Sequence, residues 1–356
     1  MTTTPSATIG TGPGGSTNAQ LTSPSVHRRS RDPAIDLTKG ALVVLMFVYH
    51  SVNYFCVDKD PLRYLHFLPA SFIFITGFLL ITVQHPKLRR GVPRVRVHVL
   101  VHGLKLFAIF AGLNVVAHVL FTSNYNNPNF GVDTLLSTAP DILVVGGLGS
   151  AVFDVLLPIS YLLILSGVLL VSSETGQRTL IALVTGLSIL GCVMLTELGR
   201  PLYNLEMLSM GLLGMLAGLV PQRDIAGRAQ WLVILLAANV VYAVLAGLRY
   251  PTYVVNILGV LLAVLALFAI GRNAPSTTLG YRWLTLLGRY SLIGYIAQIA
   301  VLQVLYRLAR YLVVDPHNFT LALIVTAIST TLIVLVIDRS RTKFAKADAT
   351  YRVLFA

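Results

Sequence analysis

The strongest constraint on this chain is that its apolar residues come in blocks of about twenty. They fall at roughly 37–57, 64–83, 98–121, 150–172, 179–198, 202–220, 230–248, 253–270, 283–306 and 319–337. A helix of that length crosses a ~30 Å hydrocarbon core. It also satisfies its own backbone polar groups, which lipid cannot do. A β-barrel would need alternating segments of roughly ten residues, and the chain has none that alternate in this way. Only 12% of residues are charged, 55% are hydrophobic, and mean hydropathy is +0.77. A water-facing domain carries about a quarter charged residues. The expected fold is all-α, a polytopic integral membrane helical bundle of about ten spans.

Net charge is +13, but the basic residues lie in short loops between blocks, so no nucleic acid partner is expected. Of the 27 lysines and arginines, most fall in loops on the side of the N-terminus, while Lys59, Arg63, Arg200, Arg249, Arg307 and Arg310 fall opposite. The positive-inside rule then puts both termini in the cytoplasm of a multi-pass protein of the cell (plasma) membrane. Lys39, Lys105 and Arg289 fit neither side and lie within spans or at their ends.

Residues 1–30 are rich in Thr, Ser, Gly and Pro, which suits a disordered cytoplasmic tail. The membrane domain is expected over 31–340 and a basic cytoplasmic tail over 341–356. No cleavable signal is expected, since the first apolar block begins near residue 40. Cys56 and Cys192 are isolated thiols with no disulfide or zinc spacing. Residues 133–172 hold too much apolar sequence for one span and too little for two. Gly146, Gly147 and Pro158 point to a broken or re-entrant segment there.

Ionisable groups inside spans are expensive and mark functional sites. His50 lies midway along the first block, and Lys39 precedes it by eleven residues. Eleven steps of 100° end about 20° from whole turns, so both share one helical stripe about 16 Å apart. Asn53 continues the stripe. A cation at the cytoplasmic mouth and an imidazole deeper in suit an anionic donor below and proton transfer above. A satisfied interhelical histidine with a snorkelling lysine is the plainer reading of the same spacing. In the third block His98, His102 and Lys105 follow i, i+4, i+7 at the cytoplasmic end. They could bind donor phosphates or lipid headgroups, and without a third ligand nearby no metal is expected. In the ninth, Gly288, Ser291, Tyr295 and Gln298 form a small and polar stripe that could simply pack helices. Asp141 and Asp154 fall toward the outer half, where a carboxylate could orient His50.

These residues carry a resemblance. The run from Arg31-Asp32-Pro33 through Asp36 and Lys39-Gly40 to Met46-Phe47-Val48-Tyr49-His50 resembles the opening of the transmembrane acyltransferase superfamily. That group includes bacterial membrane O-acyltransferases and heparan-α-glucosaminide N-acetyltransferase-like proteins. Phe72-Ile73-Phe74-Ile75-Thr76-Gly77, Asp141-Ile142-Leu143 with the glycines after it, and Leu287-Gly288-Arg289-Tyr290-Ser291 resemble further elements of it. Two positions depart from the pattern. Lys39 stands where arginine is usual, keeping the charge but losing the planar fork, and Gln298 stands where many relatives carry histidine.

The resemblance implies acyl transfer from cytosolic acyl-CoA, most simply acetyl-CoA, to a hydroxyl or amine of an extracytoplasmic glycan. His50 would be the general base, with Asp141 and Asp154 as catalytic partners. Arg31, Lys39, His98, His102 and Lys105 would bind the donor, and Asn53, Ser291, Tyr295 and Gln298 the acceptor. Membrane lipid is the surrounding partner. A transporter whose substrate or proton path is lined by His50 is the alternative; no paired repeat supports it.

Overall fold

A computed structural model describes residues 32–56, 58–120, 131–147, 151–171, 173–220, 229–248, 252–311 and 318–355. Arg31 and the tail read over 1–30 lie outside the described residues. Thirteen α-helices and no strand occur among those described. They are α1 (Pro33–Phe55), α2 (Phe67–Arg89), α3 (Val95–Leu120), α4 (Val132–Val144), α5 (Leu156–Leu169), α6 (Glu174–Glu197), α7 (Tyr203–Gly218), α8 (Ala229–Gly247), α9 (Tyr253–Asn273), α10 (Leu279–Arg289), α11 (Ser291–Tyr311), α12 (Phe319–Lys343) and α13 (Ala345–Phe355). Helix starts follow local chemistry. Ser173, Thr252, Thr278 and Asn318 each accept a hydrogen bond from the backbone N–H three residues on, which satisfies a donor the helix leaves open.

Seven of the helices are long and apolar enough to cross a membrane. The shorter α5, α7 and α8 account for the other expected blocks, so the protein is an all-α polytopic membrane protein. The block read as one span over 283–306 is two helices. Tyr290 closes α10, its N–H donating to Leu286 and Leu287 carbonyls, and α11 starts at Ser291. The segment over 133–172 is broken, as expected. α4 ends in Gly146 and Gly147, both with positive φ (73° and 64°), a region open to glycine at little cost. Asn204 seals that end by donating from Nδ2 to the Ile142 and Leu143 carbonyls at 2.9 and 3.0 Å. The stretch read as a basic tail contains α13.

α1 and α2 form the interior, with 61% of each apolar stretch buried, against 17% in α6 and 22% in α12. Two backbone-to-backbone contacts hold this interior. A methyl group at Gly40 would land on the Leu284 carbonyl, and one at Gly288 on the Asp36 carbonyl, so α1 and α10 touch main chain to main chain. In the same way Gly77 of α2 meets the Gly211 carbonyl and Gly214 of α7 meets the Phe74 carbonyl. Lipid offers no hydrophobic drive between helices, and small residues that let backbones approach take its place.

Candidate active site

The contact between Gly40 and Gly288 decides the first part of the site. Each glycine is followed or preceded by a cation, so packing α1 on α10 sets Lys39 beside Arg289 at one end of the bundle. Both line a cavity of about 260 Å³. His102 of α3 joins them, its Nδ1 buried without a hydrogen-bond partner. The walls are Phe72, Ile75, Thr76 and Leu79 of α2 with Leu156 and Ile159 of α5, and the far wall includes Ser291 and Tyr295 of α11. Mostly apolar walls with a few convergent polar groups are what ligand sites usually show.

The second part lies at Tyr295. Its ring is 6.1 Å from the His50 ring, centroid to centroid, and Tyr49 packs edge-on to His50 at 5.2 Å. His50 is 8% exposed, faces the bundle interior, and its Nε2 has no hydrogen-bond partner among the described residues. Tyr295 is 4% exposed. Its hydroxyl sits beside the Val155 amide without a hydrogen bond of good geometry. Asp154, on the irregular turn before α5, lies close enough to Tyr295 and Tyr203 to interact with both through charge. Asn114 of α3 holds that turn, its Oδ1 accepting from Val152 N–H at 2.9 Å. His50 is not among the residues that line the cavity; Tyr295 is the group shared by the cavity wall and the His50 cluster.

The structure thus brings together Lys39, His102, Ser291 and Tyr295 on one cavity, with His50 and Asp154 around Tyr295. Other expected residues fall elsewhere. Asp141 is exposed on α4, and its carbonyl ends that helix by accepting from the Val145 and Gly146 N–H groups. His98 is exposed and does not line the cavity. Lys105 donates from Nζ to the Val353 carbonyl of α13 at 2.9 Å. Asn53 is half-buried beyond His50. Gln298 is fully buried, and both its amide atoms lack hydrogen-bond partners. Among the described residues no group of three His, Cys, Asp or Glu side chains could hold a metal.

Sequence reasoning assigned no role to Arg289 and Tyr351. Arg289 was visible as one of three cations that fit neither loop side. Tyr351 lines the cavity from α13, and the apolar spacing of Ala347, Tyr351 and Leu354 (i, i+4, i+7) was the available signal for that helix.

Residues 32–339 match a family model described as an acyltransferase domain. No curated protein and no solved structure gives a match.

Proposed function

The chain belongs to the acyltransferase family, and from that premise we propose that it moves an acyl group, most simply acetyl, from a cytosolic acyl-CoA to a glycan hydroxyl or amine on the opposite side of the membrane. The carrying observation is one cavity with cations at one end and Tyr295 at the other, the tyrosine ring packing against His50 outside the cavity lining. The cationic end is taken as cytoplasmic because positive charge accumulates on that side.

In this reading the donor's phosphates stay near Lys39, Arg289 and His102, where charge-assisted hydrogen bonds are strong. The acyl-pantetheine arm fills the apolar middle between α2 and α5, and the thioester stops at Tyr295. His50 accepts the proton of the acceptor hydroxyl or amine. The acceptor oxygen or nitrogen attacks the thioester carbon, the new C–O or C–N bond forms, and the C–S bond breaks. The imidazolium then returns the proton to the leaving thiolate, releasing coenzyme A. Tyr295, whose hydroxyl lacks a partner, is positioned to donate to the carbonyl oxygen as charge develops there. Asp154 interacts with Tyr295 through charge, so in this reading it acts on the tyrosine and not directly on His50.

The test uses purified protein with acetyl-CoA and a panel of glycans, following free thiol. Release that depends on the acceptor is the expected result. Solute flux without thiol release would replace the enzyme reading with a transporter.

A further inference from the structure

The matched family domain ends at residue 339, yet the cavity does not. Its wall is completed by Tyr351 of α13, which lies beyond that boundary. α13 is fastened around the basic end at three points. Arg341, near the end of α12, donates to Asp348 Oδ1 from Nε at 2.9 Å and from Nη2 at 2.7 Å. The same guanidinium lies 3.7 Å over the Tyr351 ring. Tyr351 packs edge-on to Tyr290, at 5.7 Å between centroids, and Tyr290 follows the cavity cation Arg289 directly. On the far side Lys105, one turn beyond cavity-lining His102, holds the Val353 carbonyl. The helix therefore runs from α12 past the α10–α11 joint to α3, across the end where Lys39, Arg289 and His102 converge.

Charge adds a second argument. The cavity's cations, Lys39 and Arg289, stand with His102 at its basic end, so the phosphate-bearing part of a thioester donor would lie there, beside α13. That helix presents Arg352, and Lys343 and Lys346 stand at its start, all exposed, so the surface it offers an anionic group is cationic.

We infer that α13 forms the donor-side wall of the cavity and that Tyr351 is a donor-binding residue, contacting the phosphate-bearing nucleotide end of the thioester as it leaves the cavity. This rests on the reading of the donor as acyl-CoA. It assigns donor affinity in part to a segment outside the family domain, so that relatives ending at the domain boundary would lack this contact.

The experiment uses the full chain in nanodiscs of phosphatidylcholine, with calorimetric binding of coenzyme A and of pantetheine, which lacks the nucleotide. Tyr351→Ala and Lys105→Met should weaken coenzyme A binding by about tenfold or more, or about 1.4 kcal/mol, while pantetheine binding holds and Tyr351→Phe stays near wild type. In a Cys56→Ser/Cys192→Ser background, a cysteine placed by Thr76→Cys should react slowly with a charged thiol reagent and faster when Lys105→Met is added. Wild-type binding of coenzyme A with equal affinity in Tyr351→Ala, or equal labelling rates, overturns the assignment of α13 and leaves the donor reading standing. No coenzyme A binding by wild type, with the cysteine still protected, overturns the donor reading and the role of Tyr351 with it. Competition by phosphatidylglycerol added to the nanodiscs would assign the cationic surface to a lipid headgroup instead, against the inference.

Discussion

At the Lys39 end of the cavity most polar groups are half-buried or exposed and partnered, Arg341, Asp348 and Tyr351 with one another and Lys105 with the Val353 carbonyl, His102 Nδ1 being the buried exception. At the Tyr295 end they are deeply buried, and His50 Nε2 and the Tyr295 hydroxyl have no hydrogen-bond partner among the described residues. The first arrangement is inexpensive, since exposed charges contribute little either way. The second is costly, since a buried polar atom left unpaired costs about 1–3 kcal/mol. A bundle of this size could fill the Tyr295 end with leucine and gain stability. That it carries an imidazole and a phenol there instead argues that these atoms are kept for a reacting partner, whereas the basic end is built to hold and release.

The two ends of the cavity should part most clearly at His50. His50→Ala should lower kcat by about 10²–10⁴, the usual contribution of a general base, with donor KM unchanged and folded yield at wild-type level. The yield should hold because the lost imidazole leaves no partner unpaired at Nε2. Turnover within a few fold of wild type would mean the buried end has no chemical role. Lys39→Ala should do the reverse, raising donor KM by roughly 10-fold or more while leaving kcat largely intact. A hydrogen bond to a charged group contributes ~1.5–3 kcal/mol. Lys39→Arg should be tolerated or bind donor more tightly, because the guanidinium fork matches phosphate. An unchanged donor KM in Lys39→Ala would remove the basic end from donor binding.

The two glycine contacts sharpen the same distinction. Gly40→Ala and Gly214→Ala both push a methyl onto a facing carbonyl, so each should lower thermal stability, by about 1–3 kcal/mol as overpacking does. Only the α1–α10 contact carries Lys39 and Arg289. Gly40→Ala should therefore also raise donor KM, while Gly214→Ala, in the α2–α7 contact, should leave the donor KM of the folded fraction alone. Equal donor defects in both would show that the cation pair depends on the whole bundle and not on the Gly40–Gly288 contact.

How much of this could be read in advance depends on the range of the interaction. Span positions followed from block length, because lipid imposes one requirement on every crossing segment. The break after Asp141 followed from adjacent glycines, a local signal. The shared stripe of Lys39 and His50 followed from helical geometry alone, and the structure turns that stripe inward. The split of 283–306 into α10 and α11 was hidden, because Leu284 through Ile296 contains no proline to mark a break, and the packing of α10 on α1 joins Gly288 to Gly40, 248 residues away. Asp141 and Asp154 looked equivalent in sequence. A one-helix difference in placement leaves Asp141 on an exposed face and sets Asp154 against Tyr295. Lys105 shared a helical face with His102 as expected, but the partner it found, Val353, lies in a stretch whose charge suggested only a tail.

The smallest expected effect is a titration at the basic end. Asp348 accepts from Arg341 and also pairs with Arg352. The Arg341 hydrogen bond, and then Arg352, hold its carboxyl below the ordinary carboxylate value, against a smaller opposing effect of burial. A carboxylate with a depressed folded-state pKa contributes stability above its unfolded value, near ~3.9, and that contribution is lost as pH falls through the depressed value. α13 should thus stay docked from neutral pH down to the ordinary carboxylate range and loosen below it. Hydrogen exchange of α13 amides, corrected for intrinsic rates, should rise across that acid window, and Asp348→Asn should show the raised exchange already at neutral pH. The increase should be modest, because Lys105 and the Tyr351 stack also hold the helix. If Asp348→Asn leaves α13 exchange at the wild-type level at neutral pH, the Arg341–Asp348 pair does not fasten the helix. Docking at the basic end would then rest on the Lys105 bond and ring packing alone.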